Sequence, residues 1–149
     1  MIVTARKLAN ASAMKPRQAD LKRAVSTAYY ALFHAIAKDA ADLLVGVGAE
    51  RSDKAWVQIY RSLQHGDAKN ACEGFRNLMP EPSFKLCAAT FVTLQQKRHD
   101  ADYDPSFRIL RSEAIDLIDQ AELAIANLKA APKHDRREFA VSLLMKRRR

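Results

Sequence analysis

Apolar side chains recur every three or four positions along most of the chain, the period of a helix with one buried face. The strongest run is 17–45, where Leu21, Val25, Ala28, Leu32, Ile36 and Leu43 keep one stripe apolar and Gly46 and Gly48 end it. Ahead of it, 2–14 reads as a short helix stopped before Pro16, a residue suited to the first turn of the next helix because its missing N–H costs nothing there. Ser52 is the expected N-cap of a helix over 53–65, which carries Trp56, Ile59, Tyr60 and Leu63 and is stopped by Gly66. Residues 67–79 suggest at most a short helix interrupted at Gly74, which makes 66–83 a candidate lid or packing loop. Pro80 and Pro82 form the clearest break. Ser83 is the expected cap of a helix over 84–102, with Phe84, Cys87, Phe91 and Leu94 on one face. Pro105 breaks that helix, and Asp104 or Ser106 can cap the next. Over 107–130, Leu110, Ala114, Leu117, Ala121, Ala124 and Leu128 alternate spacings of four and three, the seam of a helix in a bundle. After Pro132 a short amphipathic stretch, EFAVSLLMK, leads into the terminal arginines. Strand-like alternation, repeats and low-complexity segments are not seen. The pattern predicts an all-α domain over 1–132, an up-down bundle of four to five helices, with a short basic C-terminal extension over 133–149.

Composition sharpens this. Only 4 Gly and 5 Pro stand among 149 residues, too few turn formers for an all-β sandwich. The 48% hydrophobic and 28% charged content is that of an ordinary folded domain. The net charge is +8, but seven basic residues against two acids crowd into 133–149. The body is therefore only mildly basic, and the composition-level hint of an anionic partner comes mostly from the tail. Cys72 and Cys87 cannot build a disulfide framework or a four-ligand zinc site by themselves and read as reduced thiols. The N-terminal residues lack the apolar core of a signal peptide, and no run approaches the length of a membrane span. The expectation is a cytoplasmic protein without a membrane partner.

Several signals of chemistry are absent: a Walker loop, GxGxxG, HExxH and CxxC. His34, His65, His99 and His134 do not fall at metal-ligand spacing on one helix, so neither a metal nor a cofactor is expected. Three clusters stand out instead. On the second helix, Arg23, Thr27, Tyr30 and His34 share one narrow stripe opposite the apolar one. This stripe is open to three readings: a solvated face, a dimer interface or the lining of a site. In the run KRHDADYD, Arg98 continues the face of Phe84, Cys87, Phe91 and Leu94, so it should point inward, with Asp102 at i+4 from it and Tyr103 at i+4 from His99. Such an arginine is either a helix-end ion pair or an anion clamp. In WVQIYRSLQHG, Trp56 and Tyr60 read as core packing, and Arg61 and His65 as cations at a helix C-terminus.

These residues carry a resemblance. KRAVSTAYYALFHAIA (22–37) is similar to the opening long helix of HEPN-domain proteins, and QQKRHDADYDP (95–105) to their later helix, where an arginine precedes a short ADY or HxY segment. WVQIYRSLQHG (56–66) resembles the intervening segment of small bacterial members. The resemblance implies an up-down helical bundle, a homodimer, and a toxin–antitoxin or defence setting with RNA or nucleotide as ligand and a nucleotidyltransferase-like antitoxin as partner. It implies that Arg23, Tyr30, Asp102 and Tyr103 line a nucleic-acid or nucleotide cleft with Arg98, His99 and His34. Active ribonucleases of the family place a histidine a few positions after the arginine; here Tyr103, Asp104, Pro105 and Ser106 follow instead. Two alternatives accompany this expectation of a binding protein. One is a metal-independent ribonuclease with Arg98 as phosphate clamp and His34 or His99 as base, since 2′-hydroxyl attack needs a base near neutrality and a cation for the phosphorane. The other is a purely structural or protein-interaction module.

Overall fold

The computed structural model describes residues 1–78 and 81–145, with side chains left aside at 75–78. All regular structure among them is helical. Seven helices form, more than the four to five expected: α1 (Ile2–Ala9), α2 (Gln18–Val45), α3 (Asp53–Ser62), α4 (His65–Leu78), α5 (Pro82–Tyr103), α6 (Arg111–Ala130) and α7 (Lys133–Leu144). The three longest, α2, α5 and α6, pack against one another in all three pairings, and α1, α3 and α7 each lie on α2. α4 is carried by α5 and touches α7. Tyr29, Leu21, Leu32 and Ile36 of α2, Phe84, Phe91 and Leu94 of α5, and Ile118 and Leu128 of α6 fill the fully buried centre. Ala24 and Ala28 on α2 and Ala114, Ala121 and Ala124 on α6 are also buried, and such small side chains let helix axes approach closely.

Where the helices end depends on contacts that a periodic pattern does not reveal. Ser52 caps α3 as expected, its Oγ accepting from the Ala55 N–H at 3.2 Å. α2 stops at Gly46, which adopts φ +107°, a left-handed-side conformation open to glycine. α3 ends at Ser62, and α4 starts at His65 and continues through Gly74 to Leu78. The segment expected as a lid or loop is thus mostly helix. Its cause is packing: Ala68 and Cys72 are buried, and a helix with one face held by tertiary contacts tolerates a glycine. Pro80 lies outside the described residues. α5 begins at Pro82, capped by the Glu81 carboxylate on the Phe84 N–H at 2.8 Å, so Ser83 is not the cap.

α6 starts at Arg111, four residues later than the spacing predicts. The Gln18 side chain explains this: its amide accepts from the Ile109 N–H at 3.0 Å and donates to the Ile109 carbonyl at 2.9 Å. Both backbone groups of Ile109 are therefore spent on a distant side chain rather than on a helix ladder. Asp104 organises the turn before it, accepting from the Ser106 N–H and hydroxyl at 2.9 and 2.7 Å. Within 133–145, α7 docks on the bundle through buried Phe139, Ala140 and Leu143, with Phe139 edge-on to Phe84 at 5.0 Å. Arg136 ties it to Asp39 at 3.3 Å. The terminal arginines lie outside the described residues. No described helix is long and apolar enough to cross a membrane.

Candidate anion-binding site

The polar cluster forms where the C-terminal half of α5 crosses α2. Leu94 and Ala101 bury against the core, and Arg98 between them shares their face, so the side chain is drawn inward to 15% exposure. On α2, Ser26 and Tyr30 are four residues apart and half-buried, flanking the apolar stripe on the side that meets α5. The two helices thereby bring together groups far apart in sequence. Arg98 Nη2 donates to the Tyr30 hydroxyl at 2.9 Å. Its Nε lies 2.9 Å from Asp102 Oδ2, although the angle there falls outside hydrogen-bond geometry. Asp102 is itself oriented by the Ser26 hydroxyl, which donates to Oδ1 at 2.5 Å. The guanidinium carbon sits 5.7, 5.4 and 5.7 Å from the rings of Tyr29, Tyr30 and Tyr103, the range of cation–π attraction. Burial alone lowers the affinity of Arg98 for its proton, but Tyr30, Asp102 and Tyr103 outweigh it, so the charge is secure.

Of the residues expected from sequence, Arg98, Tyr30, Asp102 and Tyr103 therefore meet in one cluster. His99 extends it, its ring 5.0 Å from that of Tyr103. His34 joins from the other side, stacked on Tyr30 with centroids 6.1 Å apart. Its Nδ1 is engaged by the Tyr60 hydroxyl at 2.7 Å. Arg23 stays apart: it is exposed on α2 and makes no hydrogen bond or ion pair among the described residues.

The structure adds groups that single-helix patterns missed. His65 was expected as a cation at a helix C-terminus; it instead opens α4. Its ring lies flat on Phe33 at 4.2 Å, and its Nδ1 is 2.6 Å from the buried Tyr29 hydroxyl. Burial, then the Arg98 charge, then His34 hold its imidazole below the usual histidine range. Trp56 and Tyr60 were expected in the core but are only half-buried. They stack on each other at 5.2 Å, Tyr60 stacks on His34 at 5.8 Å, and the Trp56 indole donates to Asp42 at 2.9 Å. The row Trp56–Tyr60–His34–Tyr30 thus braces α3 against α2 and ends at Arg98. The i, i+4 spacing of Trp56 with Tyr60 and of Tyr30 with His34 signalled each half of the row, but nothing in the sequence joined them.

Beside Arg98 lies a half-open cavity of about 220 Å³ lined by Lys69, Gln95, Gln96, Arg98 and His99. Gln95 is fixed by its donation to the His65 carbonyl at 3.1 Å, and Gln96 by its donation to Asp100 at 2.9 Å. The cysteines are elsewhere: Cys72 and Cys87 are buried, and burial pushes Cys87 up to about 12 and Cys72 well above its ordinary value, which leaves both as unreactive thiols. Among the described residues, one set of potential metal-ligand atoms lies within 4.8 Å of one another, on His134, Asp135 and Glu138. It is remote in sequence from the cluster, lies in the first two turns of α7, and includes a 3.0 Å His134–Glu138 pair. Compared with protein-family models, with curated proteins and with solved structures, the chain matches none.

Proposed function

We propose that this chain is a HEPN-like, dimeric nucleic-acid or nucleotide-binding protein of a toxin–antitoxin or defence setting, without the complete ribonuclease motif. The observation that carries the reading is Arg98. Its guanidinium is drawn inward, fixed by Tyr30 and Asp102, and faced by three tyrosine rings. Its Nη1 makes no hydrogen bond among the described residues and is not among the buried unpaired atoms, so it remains available to a ligand. A guanidinium oriented before a phosphate arrives binds it with less loss of side-chain freedom. A homodimer is the assembly that the resemblance implies. A nucleotidyltransferase-like antitoxin is the partner that the resemblance implies.

The test is binding of single-stranded RNA, followed by fluorescence anisotropy over a range of salt. Affinity should fall steeply as salt rises, and Arg98→Ala should weaken it about tenfold or more at fixed salt. Absence of binding at low salt, with the fold intact, would leave the cluster as a structural or protein-interaction element. A second reading, metal-independent RNA cleavage, is favoured by one observation: His99 lines the same cavity as Arg98. Cleavage lost in both His99→Ala and Arg98→Ala would support it, with His34→Ala testing the other candidate base. RNA left intact by the unaltered protein would rule it out.

A further inference from the structure

The cavity beside Arg98 has a one-sided chemistry. Three of its five lining residues are basic types (Lys69, Arg98 and His99), two are amides (Gln95 and Gln96), and none is a carboxylate. Lys69 comes from α4, whereas the other four come from α5, so the two cations reach the cavity from different helices. Lys69 is half-buried and makes no ion pair among the described residues. The nearby carboxylates are already engaged: Asp100 accepts from Gln96 at 2.9 Å, and Asp102 lies against Arg98 Nε and the Ser26 hydroxyl. The amide nitrogens of Gln95 and Gln96 each donate within the protein, and Gln95 Oε1 is buried without a partner. The volume, about 220 Å³, corresponds to roughly seven waters' share of liquid water. That accommodates a phosphate and part of the group it esterifies.

We infer that this cavity takes a phosphate monoester, the terminal phosphate of a nucleotide or of a nucleic-acid strand, with Lys69 as the second cation beside Arg98. A monoester carries close to two negative charges at neutral pH and offers three terminal oxygens, whereas an internal diester carries one charge and two free oxygens. Lys69 on α4, with Arg98 and His99 on α5, offers donors from two helices to a group with three terminal oxygens, although the charge of Arg98 is shared with Asp102. The inference rests on the reading of Arg98 as an anion site and goes further by naming which end of the ligand it holds.

The experiment compares four probes by calorimetry at one ionic strength: adenosine 5′-monophosphate, inorganic phosphate, and a 2′-O-methyl dinucleotide with and without a 5′-phosphate. The 2′-O-methyl groups prevent attack by the 2′-hydroxyl, so binding is read apart from cleavage. The phosphorylated dinucleotide should bind about tenfold or more tightly than its unphosphorylated form, and the mononucleotide should bind more tightly than inorganic phosphate. Lys69→Gln should erase most of the preference for the phosphorylated dinucleotide while keeping residual binding, and Arg98→Gln should weaken both. Circular dichroism melts establish that each variant is folded. Equal affinity for the two dinucleotides, or a preference unchanged in Lys69→Gln, would overturn the monoester assignment and leave the broader reading standing. Binding of all probes unaffected by Arg98→Gln would overturn both. Inorganic phosphate bound as tightly as the mononucleotide would overturn the assignment to an ester.

Discussion

Tyr29 and Tyr30 are neighbours in sequence with opposite fates. One turns into the core and meets His65; the other faces α5 and holds Arg98. The stripe containing Tyr30 and His34 was legible from helical spacing, and so was the inward direction of Arg98, because both follow from one helix at a time. The Tyr29–His65 pair was not, since its members are 36 positions apart on separate helices and nothing local marks them. That pair makes a pH prediction. Burial and the Arg98 charge lower the folded-state affinity of His65 for a proton, so the unfolded chain takes up the proton first as pH falls. The stabilisation is complete above about pH 6.5, the ordinary histidine value, and is lost on acidification below it. The urea midpoint should therefore drop between pH 7.5 and pH 5, and His65→Gln should shrink that drop. An equal drop in the variant would contradict the assignment. Tyr29→Phe should cost about 0.5–1.5 kcal/mol, because it removes the hydrogen bond between the buried Tyr29 hydroxyl and the half-buried His65 ring.

Among the elements, the long amphipathic helices were legible, and their ends mostly were not. Apolar spacing located the bodies of α2, α5 and α6 because a buried stripe must repeat with the helix. The ends are set by single contacts: Gln18 on Ile109 delays α6, the Glu81 carboxylate opens α5, and the Phe33–His65 stack anchors the start of α4. α4 was anticipated only as a short helix over 67–79 interrupted at Gly74. Its Gly66 and Gly74 read as breaks in sequence, whereas the helix runs through both. This gives a direct test. A Cβ added at Gly74 meets nothing within 4 Å, so Gly74→Ala should gain the helix propensity at no steric cost. The expected gain is about 0.5–1 kcal/mol, or a rise in Tm of about 2–4 °C by calorimetry. A lower Tm would mean that position 74 requires a glycine and that α4 does not run through it.

For the molecule as a whole, net charge and site charge are different quantities. Most of the +8 comes from 133–149, and that crowding was visible in the sequence as a basic extension. What it did not reveal is that much of this segment folds onto the bundle: α7 buries Phe139 and Leu143, and Arg136 pairs with Asp39. The charge that the proposed function depends on is Arg98, a residue that contributes one unit and is recognisable only by its surroundings. The all-helical character followed early from the scarcity of glycine and proline, but the meeting of α4 and α5 at one cavity, with Tyr30 of α2 holding Arg98 beside it, required the tertiary structure. In the proposed function an anionic ligand is recognised by the body at Arg98 rather than by the basic tail. This recognition is tested most directly by measuring single-stranded RNA affinity against salt for three proteins: the full chain, Arg98→Ala, and a chain ending at Met145. Arg98→Ala should lose about tenfold or more in affinity at every salt concentration. The shortened chain should keep its dependence on Arg98 and lose only the part of the salt slope owed to the removed charges. Binding unaffected by Arg98→Ala and abolished by the truncation would contradict recognition at Arg98.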